Sequence, residues 1–140
     1  MDVIILIGRV LFSLIFVNSG LRGHLGSLDG STQYAQAWGV PNARVTVIVS
    51  GIIISVGGLM VVLGVWMDLA SILLIVFLVP TAFTMHAFWK VEDPMQKAGE
   101  QAQFMKNISL TGACLILFGF VGLLGDDLGL TLTGPVFSTD

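Results

Sequence analysis

The 140-residue chain is 55% hydrophobic and 11% charged, with a net charge of −3 and a mean hydropathy of +0.94. A charged fraction so far below the ~25% of soluble domains excludes an ordinary water-soluble fold. The six Lys and Arg residues form no basic stripe, which excludes nucleic acid as a partner. A lone cysteine, Cys114, excludes an intrachain disulfide.

A membrane-crossing helix needs ~20 mostly apolar residues to span a core of ~30 Å. Val3–Leu21 is the first such run. Its start is acidic (Asp2) and no Ala-x-Ala site follows, so it reads as a retained helix and not as a signal peptide. Arg22–Arg44 then connects to the second span. Within it, Ser31–Gly39 is expected as a short interfacial helix stopped by Val40–Pro41, with Ser31, Thr32 and Asn42 as capping residues. Val45–Leu63 is the second span, and its Gly51, Ser55 and Gly58 at i, i+4, i+7 predict a close helix contact. After a turn, Leu69–Phe88 is the third span. Pro80 lies midway along it and predicts a kink, because it removes one backbone donor. Trp89–Gln103 connects onward, and its polar, helix-prone end from Gln96 is expected to extend the fourth span, Phe104–Leu124. Ser109, Gly112 and Gly119 on that span predict a second small-residue contact. The tail from Asp126 is too short to cross and is expected on the outer surface. The expected fold is an all-α membrane protein, a four-transmembrane-helix bundle with both termini on the same side, with residues 1–140 forming one transmembrane domain.

Side A denotes the side holding the termini and the Leu63–Leu69 turn, and side B the other. Arg22, Arg44, Lys90, Lys97 and Lys106 lie on or near side B. The positive-inside rule therefore puts side B in the cytoplasm and both termini outside it. Trp66 marks side A, and Tyr34, Trp38 and Trp89 mark side B, as aromatic residues of the headgroup layer.

Ionisable groups inside spans are expensive, roughly 2.5–3.5 kcal/mol on insertion scales, and need partners, water or headgroups. On side B, Asn18 and Arg22 end the first span, His86 and Trp89 end the third, and Lys106 and Asn107 begin the fourth. These six residues are expected to line one pocket just inside the face. The two asparagines offer donors and acceptors, and a histidine exchanges protons near neutral pH. Lys106 favours an anionic or carbonyl-bearing ligand, and Phe83, Phe88, Trp89 and Phe104 supply apolar walls. Such a mouth suits a quinone or lipid headgroup. Arg9 stands apart, about 9 Å inside side A. A structural ion pair with Asp68, Asp126 or Asp127 is expected to tie the first helix to the tail.

Several chemistries lack their residues. His24 falls in a connection, which leaves no helix pair to hold a bis-histidine haem; nothing selects a His–Met pair. There is no Cys/His cluster for zinc or iron–sulfur, no Gly-rich phosphate loop and no nucleophile motif. Asp126–Asp127 alone is too few ligands for a metal. The expectation is no metal, no covalently bound cofactor and no catalytic residue in this chain acting alone.

The chain resembles the DoxX family of small bacterial and archaeal membrane proteins. The resemblance is carried by Gly8-Arg9, Phe16, Ser19-Gly20 and Arg22 in the first stretch. It continues through His86-Ala87-Phe88-Trp89 and Asp93, then Phe104-Met105-Lys106-Asn107 and Gly112. Arg22 stands where the family most often has lysine, which keeps the charge and changes the geometry. The resemblance implies a four-helix membrane bundle in the cytoplasmic membrane. It also implies redox work, as in subunits of thiosulfate:quinone oxidoreductases and partners of detoxifying enzymes in membrane oxidoreductase complexes. Arg9, His86, Trp89, Lys106 and Asn107 match the family pattern.

Three functions are therefore in play. The first is a redox-linked membrane subunit contacting quinone through the side B pocket. The second is an accessory or scaffold subunit of a larger membrane complex or homo-oligomer, docked through its small-residue faces. The third is a small transporter or lipid-binding protein. The absence of an inverted repeat or paired broken helices counts against transport.

Overall fold

The structure, a computed structural model, describes residues 1–137. Five helices carry the chain: α1 (Asp2–Asn18), α2 (Leu28–Ala37), α3 (Ala43–Leu63), α4 (Met67–Met85) and α5 (Pro94–Leu124). A π-helical segment, Ser19–Leu25, continues α1 without a break, and short 3-10 turns follow at Phe88–Lys90 and Gly125–Asp127. Among the described residues there is no strand. Four helical stretches are long and apolar enough to cross a membrane: Asp2–Leu25, Ala43–Leu63, Met67–Lys90 and Pro94–Asp127. The chain is an all-α membrane protein, and its N-terminus and the tail after α5 lie at one end, with Asp2 beside Gly129.

α1 packs along α3, α3 along α4, and α4 along α5. The core runs through this series as Phe16, Ile54, Val61, Leu74, Leu78 and Cys114. Small residues set the closest approach, as the second span's spacing predicts. A Cβ on Gly20 would stand 2.7 Å from the Gly51 carbonyl oxygen, and one on Gly51 would stand 2.7 Å from the His24 Cβ. Gly58 receives Val17 and Phe16 in the same way. The expectation for the fourth span is not met within this chain: a Cβ on Gly112 or Gly119 would meet nothing within 4 Å, and Ser109 is exposed. That stripe faces outward because α5 turns its Asn107, Cys114 and Val121 side to the bundle.

The interfacial helix forms as α2, but three residues earlier than predicted and without the predicted caps. Ser31 donates to the Gly23 carbonyl and Thr32 to the Leu28 carbonyl. Asn42 precedes α3 in a left-handed conformation and makes no side-chain cap. α4 runs on through Pro80 and leaves helical geometry at His86. α5 begins ten residues before the predicted span, at Pro94, with Asp93 accepting from the Gln96 N–H at 2.8 Å. Its 31 residues make a helix ~46 Å long, so about 15 Å extends beyond a ~30 Å hydrocarbon core.

The tail folds back over side A. Leu128 is buried with Met67 and Val121, and the Leu132 and Thr133 N–H groups donate to the Gly64 carbonyl at 3.0 and 3.1 Å. Gly64 has φ +67, and a Cβ there would meet the Thr131 Cα at 2.7 Å. Residues 138–140 of the predicted tail lie outside the described residues.

Arg9 ties α1 to the tail, but not through the expected ion pair. Its Nε donates to the Val61 carbonyl at 2.8 Å, Nη1 to Leu130 at 2.8 Å and Nη2 to Val62 at 2.5 Å. Val61 and Val62 lie in the last turn of α3, where carbonyls lack the regular i+4 donor (Val61 accepts only a 3.3 Å bond from the capping Gly64 N–H) and the helix end carries a partial negative charge. The helix terminus therefore supplies what a carboxylate was expected to supply. Asp68 is instead buried at the start of α4, accepting from the Phe137 N–H at 2.6 Å. Asp126 and Asp127 are exposed.

Candidate functional site

A half-open cavity of about 230 Å³ lies at the side B end of the bundle. Its floor is apolar, with Phe16, Ile54, Phe77 and Leu78. Its polar wall holds His24, Tyr34, His86, Gln103, Lys106 and Asn107. His86, Lys106 and Asn107, expected from the sequence, thus meet there. Asn18, Arg22 and Trp89, expected with them, do not line it.

The π-helical segment explains the first helix. In a regular α-helix, the face carrying Ile15 and Ser19 would reach position 22 one turn later. A π turn holds about one residue more, which rotates Arg22 outward and brings His24 round to the cavity. His24 Nδ1 lies 2.9 Å from the Ser19 carbonyl five residues back. Its ring meets Phe77 edge-on, with centroids 5.6 Å apart. His24 is therefore helical and not in a loop, so the position that seemed to rule it out as a partner of His86 is corrected. Among the described residues no group of three or more His, Cys, Asp or Glu side chains stands ready for a metal.

Trp89 belongs to an aromatic cluster at the bundle rim. Its ring centroid lies 6.2 Å from Phe83, 5.3 Å from Phe88 and 5.7 Å from Phe104. The four expected wall residues therefore form one group, packed on each other beside the cavity. None of the four lines it.

The overhanging turns of α5 bring in a residue that sequence reasoning missed. Glu100 accepts from the Tyr34 hydroxyl at 2.8 Å through Oε1. Its Oε2 lies 2.8 Å from His86 Nδ1, an ion pair when the imidazole is protonated. One carboxylate thus joins α2, the end of α4 and α5. His86 can reach it because α4 leaves helical geometry at that residue. Although 42% of Tyr34 is exposed, its hydroxyl is held against Glu100. Burial, with the hydrogen bond and charge of Glu100 adding to it, pushes the phenol up to about 12.

Further along the same face, Gln103 accepts from Lys106 Nζ, and Asn107 is buried. Among the described residues the Asn107 Nδ2 has no acceptor. A buried amide donor left unpaired costs about 1–3 kcal/mol. A hydrogen-bond acceptor placed in the cavity would recover that cost. A legible signal pointed to this face: Glu100, Gln103 and Asn107 recur at i, i+3 and i+7, one side of a helix.

Comparison with known proteins agrees with the fold. The DoxX family profile matches residues 4–87, more than half of the chain. The inner membrane protein YphA of Escherichia coli (strain K12) is 29% identical over 115 residues, covering 82% of this chain and 81% of its own length. No solved structure matches.

Proposed function

Because the chain belongs to the DoxX family, we propose that it is a redox-linked membrane subunit that seats a quinone headgroup in the side B cavity. The observation that carries this reading is the buried Asn107 Nδ2, an unpaired donor in the wall of an otherwise apolar-floored cavity. It suits a ligand with a carbonyl oxygen and a flat apolar ring. A quinone supplies two-electron, two-proton chemistry when bound. In this chain Asn107 orients one carbonyl and Lys106 places positive charge beside it. Phe16, Ile54 and Leu78 exclude water, and Glu100 and His86 hold a proton between Oε2 and Nδ1 at the rim. Tyr34 keeps its hydroxyl proton at physiological pH and fixes the Glu100 carboxylate.

Five of the six basic residues stand at the cavity end, which supports a cytoplasmic mouth and termini outside. A relative named as an inner membrane protein supports the cytoplasmic membrane as the location. The outward Gly112 and Gly119 of α5 favour a second reading, in which the chain is an accessory subunit docked against a larger membrane complex or a second copy of itself.

Native mass spectrometry after mild solubilisation distinguishes these readings. The first expects co-purified quinone in the wild type. Asn107→Leu should bind it about tenfold more weakly, the worth of one buried hydrogen bond. A stable protein partner without quinone would favour the second reading. Phospholipid alone would sink the quinone reading and leave a lipid-binding protein.

A further inference from the structure

We propose that a groove between α1 and α5 holds the hydrocarbon tail of the ligand and is the sideways route by which it enters from the bilayer. This rests on the quinone reading of the side B cavity. The helix series runs α1, α3, α4, α5 and does not close: α1 and α5 make no extensive approach to each other. A second cavity, of about 240 Å³, lies in that seam. The two cavities stand in line. On α1 the first takes Ser19, Phe16 and Ile15, and the second continues through Phe12, Arg9 and Ile5. On α5 the first reaches Leu110 and the second begins at Ala113. From Ser19 to Ile5 is ~21 Å along the helix, about two-thirds of a ~30 Å hydrocarbon core.

The chemistry changes along this line. The first cavity is walled by His24, His86, Lys106 and Asn107. The second is walled by Ile5, Phe12, Ala113, Leu117 and Phe120. Arg9 lines it too, but donates to three backbone carbonyls. Space exists there because Gly8 and Ala113 are small, and a Cβ on Gly8 would meet nothing within 4 Å. The boundary is the Phe12–Phe16 ring pair, with centroids 5.1 Å apart and one ring lining each cavity. A polar head site that leads into an apolar trough open to lipid fits a headgroup with an isoprenoid tail. A tail moving from lipid into this trough gains no hydrophobic energy, since both surroundings are apolar. The groove therefore selects by shape and route.

The test uses the full chain in lipid nanodiscs and two photoreactive ubiquinone analogues, one with the reactive group on the ring and one with it near the start of the tail. Labelled peptides are mapped by mass spectrometry. The ring probe should label the segments around 77–86 and 103–110, and the tail probe those around 5–12 and 113–120. Ala113→Phe and Gly8→Leu should each cut tail-probe labelling of the seam at least fivefold and leave ring labelling by a tail-less analogue unchanged. Continued protection of the Cys114 thiol from alkylation reports that the variants fold. Ring labelling with tail labels spread evenly over lipid-facing helices would overturn the groove and spare the head site. Labelling by neither probe would overturn the head site.

Discussion

Arg9 shows how a cation is accommodated in hydrocarbon without a carboxylate. Three of its donors meet three carbonyls, two of them in the open last turn of α3. Arg9→Met removes a charged donor from each of these acceptors and leaves the Val61 carbonyl with only the Gly64 N–H. Charged hydrogen bonds contribute about 1.5–3 kcal/mol each, with some relaxation after loss. We expect a stability loss of about 3 kcal/mol or more, read as faster alkylation of the buried Cys114 during thermal ramping in detergent. Arg9→Lys should recover only part, because an ammonium cannot fork to three acceptors. Unchanged Cys114 protection in Arg9→Met would refute this role. Tyr34 provides a second residue-level test, since it is the only tyrosine in the chain. Tyrosinate absorbance should rise near pH 12 and not near 10. The sign follows from a folded-state value above the unfolded one. The stabilisation is complete below pH 10 and is lost as pH rises towards 12. Glu100→Gln should move the midpoint down, and only part of the way, because burial is the larger cause.

Helices as units were legible from composition and length, because a ~30 Å core demands runs of about 20 apolar residues. The ends of those helices were harder to read. Apolar counting stops at Phe104, whereas α5 starts at Pro94 under the Asp93 cap, so Glu100 was placed on a solvated extension and left out of the site. The widened turn at Ser19–Leu25 has no sequence signal comparable to proline, so the sequence alone ends the first span at Arg22 and leaves His24 in a connection. Arg9 failed for a different reason: charge pairing was sought among carboxylates, while backbone carbonyls at a helix end carry no residue label. A close helix contact on α3, by contrast, followed from Gly51 and Gly58, and the structure supplies α1 and its π-helical continuation as the partner. Gly20→Val tests it. A branched side chain would collide with the Gly51 carbonyl and Ile54, and overpacking of this kind costs about 1–3 kcal/mol. Gly112→Val, on the open face of α5, should cost less than about 0.5 kcal/mol. Equal losses at the two sites in thermal unfolding would contradict the packing described.

For the whole molecule, the two ends are built differently. Side A is closed by the tail, which accepts from Arg9 at Leu130, donates to Gly64 and covers Met67 and Val121 with Leu128. Truncation after Asp127 would open this end, and we expect a fall in Tm comparable to that of Arg9→Met. Combining the two changes should cost much less than their sum, since residues in one network are not additive. Side B is joined by an apolar cluster of Ala35, Ala43 and Val47 with Leu28, Val40 and Met85, and by polar links: Tyr34 and His86 to Glu100, Ser31 to the Gly23 carbonyl, and the exposed Arg44–Asp29 pair. Exposed pairs of this kind contribute about 0–1 kcal/mol. Six of the ten residues of α2 are exposed, so local opening should be easier there than in the core of α3, visible as faster amide exchange in α2 than around Ile54 and Val61.

The π-helical segment has a consequence for descent and design. An extra residue in one turn uncouples the angular phase of the chain on either side of it. Everything before Ser19 faces α3 by one register, and everything after Leu25 follows another. Deleting a single residue between Gly20 and Arg22 would return the turn to ordinary pitch without removing any functional group. The His24 imidazole would keep its place at the cavity wall, because the shorter count and the tighter pitch offset each other. Ordinary pitch at the present length would instead bring Arg22 round in place of His24, so pitch and chain length together decide which side chain faces the cavity.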